Sequence, residues 1–444
     1  MSVTQYLEKY AEAIVASPLL NRVENNFHHV LVIPACCEET SLLGPVLGNT
    51  FPDNLLLILV INQHNQSTDK TRQKNQALLG YIQRHCQQLD FCPRENLYYF
   101  SVAKNLRSGK GNAVIVVDRF TKGWTLPEKQ GVGLARKIGA DIALCLIHKQ
   151  KVLSSWIHSS DADTKLPDNY FFKETGREIS ARTSNFKHQF SEDPVGLSTL
   201  LYEISLRYYF YALRFCRSPY AYFSIGSTLA FHHEHYAAVR GFPKRNAGED
   251  FYLLNKLAKT GNIIFQKNVT VHIESRFSDR VPFGTGPAAK NISLLEKPVD
   301  DYLYYHPGIF VFLERTLSNF PALFENNASW RELDTRIISI LESMGFMKAI
   351  HHAKTHSRNA EGFVRHLHQW FDAFRTLKFI HLVRDSYLHS VNLSTMLRAG
   401  VNSGLFSEQI LSGLNPDQLA FNDLKRINDH LGNIPQRTIP PRTP

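Results

Sequence analysis

Runs of consecutive apolar residues, each ended by polar or turn-forming residues, divide the first third of the chain into segments. Such a run of about four to eight residues predicts a buried β-strand, and we predict four strands, over residues 28–39, 54–63, 96–102 and 154–160. Helical spacing of apolar positions predicts helices over residues 5–21, 68–89 and 131–148. Strands without alternation are typical of parallel sheets covered by helices on both faces. We therefore predict an α/β fold with a mostly parallel sheet.

The remainder of the chain first continues the mixed pattern and then becomes purely helical. Residues 199–217 predict an aromatic helix, and residues 222–275 predict further short strands and two helices. From about residue 292 onward, helical patterns follow one another without strands between them. We therefore predict an α/β domain over residues 1–290, a helical domain over 291–432, and a proline-rich tail over 433–444 that we expect to be disordered.

Charge and cysteine content narrow the range of partners and compartments. The 444-residue chain has a net charge of +10, which favours anionic partners. Its basic residues are scattered and form no recognised nucleic-acid module, so we expect no nucleic-acid partner. The six cysteines fit neither a disulfide framework nor a CxxC zinc pattern. No apolar run reaches the roughly 18 residues of a membrane helix, and the N-terminus lacks a signal-peptide pattern, so we predict a cytoplasmic protein.

Chemically capable side chains follow three of the predicted strands. They lie in residues 34–39, 62–69 and 161–164. Because ligands of doubly wound sheets bind at the carboxyl ends of the strands, these three segments are the candidate site.

The most informative of these segments is Asp161-Ala162-Asp163. Carboxylates are the ligands that hard divalent cations prefer, and two of them at a strand end can be directed at one ion. A D-x-D sequence also occurs by chance, and the alternative interpretation is a helix N-cap with a surface acid. The position at a strand end favours the metal site.

Two later segments carry further candidates. Gly248-Glu249-Asp250 precedes a predicted helix, where acids cap the helix or, held on a turn, take a proton from a hydroxyl group. His272 alternates with apolar residues on a predicted strand, where a lone histidine is more often an ordinary core or surface residue than a ligand.

Four cationic residues could hold a diphosphate. Lys110 stands between two glycines, which allow the backbone to approach phosphate oxygens, although the segment is not a P-loop. Arg136, Arg276 and Arg280 can bind a diphosphate with two parallel hydrogen bonds. The alternative for each is a solvated surface charge.

Five stretches, taken in order, resemble the family 2 glycosyltransferases of the GT-A fold. They are VLVIPACCEE, ILVINQHNQSTDKT, IHSSDADTKLPDNYF, SIGSTLAFHHEHYAAVRGF and AGEDFYLLNKLAKTG, and the resemblance covers about residues 28–285. It implies a nucleotide-diphospho-sugar transferase fold with a Rossmann-like, mostly parallel sheet. The nucleotide-binding half would span 28–165 and the acceptor-side half 166–290. The stretch GVGLARKIGADIA is also similar to a segment of a bacterial subgroup, in which Arg136 would reach the diphosphate.

The resemblance also implies roles for the candidate residues. The donor's base and ribose would be held by the ends of the first two strands, at Pro34, Ala35, Cys36, Glu38 and Asn62. Asp161 would contact the ribose, and Asp161 and Asp163 would bind a Mg²⁺ or Mn²⁺ ion that bridges the diphosphate, with His272 as a third ligand. Asp250, with Glu249 beside it, would act as the general base of an inverting transfer.

Three departures from the family pattern refine this expectation. Cys36 stands where an aromatic residue usually packs on the base, and Asn62 stands where an acid is usual. The Gln/Arg-x-x-Arg-Trp motif of processive synthases is not evident, and no membrane helices follow. We therefore predict a non-processive enzyme that adds one sugar.

The expected partners are a nucleotide-diphosphate sugar and an acceptor that is a saccharide, a lipid or a small molecule. The alternatives are a catalytically inactive nucleotide-sugar-binding protein of the same fold and a nucleotidyltransferase. The helical domain could cover the acceptor site, form a homodimer or contact the inner face of the membrane peripherally. Its histidine-rich runs are either metal ligands or ordinary surface residues.

Overall fold

The computed structural model describes residues 1–23, 26–48, 51–52, 54–102, 111–171, 176–278, 282 and 284–433. The chain divides into two units. The sheet unit comprises Met1–Gln189 and Ser224–Glu274, and the helical unit comprises Phe190–Phe223 and the chain from Ser275 onward. The sequence predicted one boundary near residue 290, whereas this division assigns residues 190–223 and 275–290 to the helical unit. The predicted tail lies outside the described residues, except for Asn433.

Within the described residues, ten strands form one mixed sheet in the order β3-β4-β5-β2-β1-β6-β9-β8-β10-β7. The strands are β1 His29–Ala35, β2 Leu55–Asn62, β3 Gln87–Cys92, β4 Leu97–Ser101, β5 Ala113–Arg119, β6 Trp156–Ser159, β7 Thr164–Lys165, β8 Ile179–His188, β9 Leu229–His232 and β10 Asn262–Ile273.

The prediction of a mostly parallel sheet is correct only for the centre. Strands β5, β2, β1 and β6 run parallel to one another, as do β8 and β10. The pairs β3–β4, β4–β5, β6–β9, β8–β9 and β7–β10 are antiparallel. The short turn between β3 and β4 permits an antiparallel hairpin, whereas parallel neighbours need long crossover connections.

The central strands are continuous apolar runs because both of their faces are covered. All eight residues of β2 and all seven of β1 are buried. The helices of the sheet unit are α1 Val3–Lys9, α2 Pro18–Asn21, α3 Gly44–Leu47, α4 Asp69–His85, α5 Gly131–His148, α7 His233–Ala238 and α8 Glu249–Leu257. Helix α5 is almost entirely buried and packs on β1, β2 and β6.

A buried polar cluster ties helix α5 to the N-terminal segment. The Asp141 carboxylate accepts hydrogen bonds from the Tyr6 hydroxyl at 2.6 Å and the Tyr236 hydroxyl at 2.9 Å. It also accepts the Glu12 backbone N–H at 2.8 Å and pairs with Lys137. Buried charges of this kind persist only where hydrogen bonds and an opposite charge satisfy them.

The helical unit is built around one long aromatic helix. Its helices are α6 Pro194–Phe215, α9 Thr285–Ser293, α10 Pro298–Asp301, α11 Pro307–Ser318, α12 Ala322–Glu325, α13 Thr335–Ser343, α14 Phe346–Thr355, α15 Ala360–Trp370, α16 Ala373–Ser386, α17 Leu393–Asn402 and α18 Phe421–Gly432. Helix α6 packs against α9, α11 and α18. Over the described part of the chain, the helices lack the combined length and hydropathy that a membrane crossing requires.

Candidate functional site

The segments that the sequence placed at strand ends lie along one edge of the sheet. Strands β2, β1 and β6 are parallel neighbours, so their carboxyl ends meet there. This edge carries Asn62 at the end of β2, the turn that begins at Cys36 after β1, and Asp161 after β6. It is the region in which open α/β sheets bind their ligands.

Asn62 holds the backbone at this edge. Its side chain is buried, and Nδ2 donates to the carbonyl oxygens of Ala35 at 3.2 Å and Val60 at 3.1 Å. The sequence-based role for Asn62 was a hydrogen bond to the donor's base. The observed amide donates to backbone, so we assign Asn62 to shaping the turn.

Two of the four residues near the end of β1 that were predicted to contact the donor are buried. Pro34 and Ala35 are buried strand residues, whereas Cys36 and Glu38 are partly exposed. Cys37 adopts a positive φ of 60°, a conformation that is uncommon for residues other than glycine and is enriched at functional sites. Of the donor-contact candidates in this segment, Cys36 and Glu38 are therefore the ones with exposed surface.

Asn75 on α4 fixes the same turn, although it was not among the predicted site residues. Its Oδ1 accepts the Cys37 N–H at 3.0 Å, and its Nδ2 donates to the Asn62 carbonyl oxygen at 3.1 Å. One fully buried amide therefore joins the ends of β1 and β2. A polar residue at a core-facing position of a predicted helix was the signal available.

The turn that carries the two aspartates is anchored by its flanking residues. The Ser160 N–H donates to Val32 O at 3.1 Å, and the Ser160 hydroxyl donates to Ser227 O at 3.1 Å. The Thr164 hydroxyl donates to Asp161 O at 2.8 Å. These bonds fix the backbone on both sides of Asp161, whose side chain is 36% exposed.

Arg136 is the centre of this site. Its side chain is only 3% exposed, and its guanidinium contacts two carboxylates. Nη2 lies 2.5 Å from Oδ1 of Asp161, and Nε lies 2.8 Å from Oε1 of Glu249. Nη1 donates to the Ser159 hydroxyl at 2.9 Å and to Ser160 O at 3.2 Å.

The expectation that Arg136 reaches a donor diphosphate stays a prediction, and in the structure its guanidinium contacts protein groups. Burial lowers the pKa of Arg136, but the charges of Asp161 and Glu249 outweigh it and raise the pKa above its ordinary value. The guanidinium stays charged and is surrounded by protein acceptors. Its place in the middle of a buried helix, among apolar neighbours, was the sequence signal for this role.

Glu249 and Asp250 begin helix α8 after Gly248, whose φ of 71° lies in the left-handed region that favours glycine. Glu249 is buried, and its carboxylate binds Arg136. A catalytic role for Glu249 stays a prediction, and the contact that the structure shows is its ion pair with Arg136.

Asp250 has the properties expected of a proton acceptor. Burial, followed by the charge of Glu249, raises the pKa of Asp250 to about 7, although the Phe251 N–H and the charge of Arg136 lower it. Its Oδ1 accepts the Phe251 N–H at 2.7 Å. A carboxyl group with a pKa near neutrality can both accept and release a proton under physiological conditions.

Asp163 lies in the turn directly before β7, and His272 lies on the neighbouring strand β10. The Glu274 N–H donates to Asp163 O at 3.3 Å, and His272 is exposed opposite Lys165. Across the described residues, no group of three or more His, Cys, Asp or Glu side chains is arranged to hold a metal ion.

The carboxylate pair nevertheless suits one class of ion. Mg²⁺ and similar cations are commonly bound by one or two carboxylates together with substrate phosphates and water. Asp161 and Asp163 are the residues that could provide such carboxylates, and Oδ1 of Asp161 is bound by Arg136. Two further predicted donor residues, Lys110 and Arg280, lie outside the described residues.

Comparison with known proteins assigns no family. Neither a protein-family model nor a curated protein matches this chain. The arrangement of the sheet edge, the two acidic turns and the buried arginine is therefore the basis for a functional assignment.

Proposed function

We propose that the protein is a metal-dependent glycosyltransferase of the GT-A type. It would transfer a sugar from a nucleotide-diphosphate sugar to an acceptor hydroxyl group, with inversion and one addition per encounter. The observation that carries this proposal is the convergence of Asp161 and Glu249 on Arg136. This convergence joins a D-x-D turn at the carboxyl edge of the sheet to the turn that bears Asp250.

Each of the two turns supplies one requirement of the reaction. Donor cleavage develops negative charge on the leaving diphosphate, and preorganised positive charge stabilises the transition state where that charge develops. The acceptor hydroxyl must also lose its proton, and a carboxylate with a pKa near the working pH is suited to take it. Asp250 has such a pKa.

The residues of the chain would divide the work as follows. Asp250 accepts the proton of the acceptor hydroxyl, whose oxygen forms the new bond to the anomeric carbon. The bond between that carbon and the diphosphate oxygen breaks, and its electron pair leaves with the diphosphate. Asp161 and Asp163 would hold a Mn²⁺ or Mg²⁺ ion, which would supply charge neutralisation to the diphosphate. Cys36 and Glu38 border the region expected for the nucleoside.

The experiment is a screen of UDP-, GDP-, ADP- and dTDP-linked sugars. Binding is measured as a Mn²⁺-dependent rise in melting temperature, and turnover is measured as release of the free nucleotide. The native protein is compared with Asp163→Ala and Asp250→Asn. Asp300→Ala serves as a matched control, because Asp300 is an exposed aspartate of the helical unit.

Each variant tests a different part of the proposal. We expect Asp163→Ala to lose Mn²⁺-dependent binding and Asp250→Asn to bind but not turn over, whereas Asp300→Ala should behave as the native protein does. Absence of binding by every nucleotide sugar would refute the proposed function. Binding without turnover by the native protein would instead indicate an inactive nucleotide-sugar-binding protein, and release of a nucleoside triphosphate from sugar donor and pyrophosphate would indicate a nucleotidyltransferase.

A further inference from the structure

One buried guanidinium contacts both halves of the candidate site. Asp161, which Arg136 binds through Nη2, belongs to the turn after β6, whereas Glu249, which it binds through Nε, immediately precedes Asp250. The donors of a guanidinium have a fixed, planar geometry. The separation of the two carboxylates is therefore set by the dimensions of a single side chain.

The guanidinium itself has little freedom to move. Besides the two carboxylates, it donates to Ser159 and Ser160. Gly226 closes the remaining side, because a methyl group added there would stand only 2.3 Å from Nη2 of Arg136. Such close backbone approach is a recognised reason for glycine at a position.

A buried ion pair elsewhere in the chain shows what a purely structural arginine looks like. Arg207 on α6 is as buried as Arg136, and its Nε lies 2.7 Å from Glu203 Oε1. That pair lies within one helix, whereas the partners of Arg136 come from two turns that are distant in sequence. Arg136 also faces three acidic residues, Asp161, Glu249 and Asp250, whose charges all act on it.

We propose that Arg136 is a positioning residue that sets the distance between the D-x-D turn and the turn bearing Asp250. This inference rests on the proposed function for the role of Asp250 and extends it. The guanidinium touches neither sugar donor nor acceptor, and it acts through Asp161 and Glu249. Misplacement of a reacting group by about 1 Å can cost about 10²-fold in rate, so the separation of the two turns has a direct kinetic consequence.

Two variants disturb Arg136 in different ways. Arg136→Met removes the charge, whereas Gly226→Ala displaces the guanidinium and leaves every charge in place. The matched controls are Arg207→Met, which removes an equally buried paired arginine, and Gly44→Ala, because a methyl group at Gly44 meets no atom within 4 Å. Each protein is measured for nucleotide-sugar hydrolysis against pH and for amide hydrogen exchange in residues 159–165 and 246–256.

We expect both site variants to lose about 10²-fold in kcat while KM changes less. Arg136→Met should also move the acidic limb of the pH profile upward by about one pH unit, because the positive charge that lowers the pKa of Asp250 is gone. In both site variants, hydrogen exchange should accelerate in both segments together. Arg207→Met and Gly44→Ala should leave the pH profile and these two segments unchanged.

Failure of this inference can be separated from failure of the proposed function. If the native protein hydrolyses no nucleotide sugar, the function is refuted, but hydrogen exchange still tests whether Arg136 joins the two turns. Accelerated exchange in only one segment, or in neither, would overturn the inference. It would also be overturned if Gly226→Ala retained native kcat, or if Arg136→Met lost activity without a change in its pH profile.

Discussion

Lys137 and Asp141 form a buried ion pair one turn apart on helix α5, with 2.9 Å between Nζ and Oδ2. The same carboxylate accepts hydrogen bonds from the hydroxyls of Tyr6 and Tyr236. Residues of α1, α5 and α7 therefore meet at one charged group. Arg136 directly precedes Lys137, so the cluster and the candidate site share one turn of α5.

We predict that Asp141→Asn destabilises the protein by about 3–5 kcal/mol, the usual cost of leaving one charge of a buried pair without its partner. Urea unfolding followed by circular dichroism measures the change. Asp69→Asn is the control, because Asp69 belongs to a largely exposed pair with Arg72. An Asp141→Asn protein as stable as the control would show that the cluster does not hold these elements together.

A second prediction concerns the buried His158. Burial, followed by the neighbouring His29, lowers the pKa of His158 to about 3, and its ring packs against Tyr170 and Phe171. The folded protein therefore keeps this ring neutral, whereas the unfolded chain protonates it below a pH of about 6.5. The contribution of the neutral His158 ring to the free energy of unfolding is therefore fully present above that pH and is lost as the pH falls toward 3.

The free energy of unfolding, measured from pH 7 to pH 4 in native protein and in His158→Phe, tests this sign. One proton taken up only by the unfolded chain corresponds to about 1.4 kcal/mol per pH unit, so the variant should show a shallower loss of stability. The exposed His28→Gln variant should follow the native curve. Equal slopes for native protein and His158→Phe would contradict the prediction.

The third prediction is the pH dependence of turnover. Because Asp250 must be ionised to accept a proton, hydrolysis of the sugar donor should rise with pH through about 7, the pKa of this carboxyl group. Glu249→Gln removes a negative charge that raises this pKa, so its midpoint should lie at lower pH. Initial rates between pH 5 and pH 9 measure both. A midpoint that Glu249→Gln leaves unchanged would remove Asp250 as the titrating group.

The fourth prediction concerns the last helix of the helical unit. Asn428 on α18 donates to Glu203 Oε1 at 2.7 Å, and Arg207 binds the same oxygen. A hydrogen bond to a buried charged group contributes about 1.5–3 kcal/mol. Asn428→Leu should lower the stability of the helical unit by that amount in urea unfolding, whereas Asn422→Leu, at an exposed position of the same helix, should not. Native stability of Asn428→Leu would argue against this anchor.

Continuous apolar runs predicted three of the four central strands because these strands are buried on both faces, whereas β5, AVIVVDR, has the same pattern and was missed. Strands β1, β2 and β6 and helix α5 were found from sequence, the helix with the observed bounds Gly131–His148. Strand β8 was missed because its sequence, ISARTSNFKH, is mostly polar although most of its residues are buried. The predicted helix over 5–21 is observed as three short pieces, α1 Val3–Lys9, a 3-10 turn Ala13–Ala16 and α2 Pro18–Asn21. Pro18 accounts only for the last break, because proline is tolerated at the start of a helix but not in its interior.

The parts of the candidate site that depend on residue type were predictable from sequence. The parts that depend on contacts between distant residues were not. The D-x-D and Gly-Glu-Asp motifs identified the two acidic turns. The partners of Arg136, the role of Glu249 and the bridge made by Asn75 depend on contacts between residues distant in sequence. No spacing rule in one chain reveals such contacts. Some side chains that the sequence assigned to ligand binding therefore make hydrogen bonds within the protein.

The inserted position of helix α6 has a consequence for biosynthesis. The ribosome delivers α6 after β8, but α9, α11 and α18, which cover its aromatic surface, are made only after β10. The last strands of the sheet are therefore synthesised while the aromatic surface of α6 is still uncovered. Transiently exposed apolar surface of this kind is what chaperones bind. An expression fragment that stops at residue 290 would leave α6 permanently in that condition.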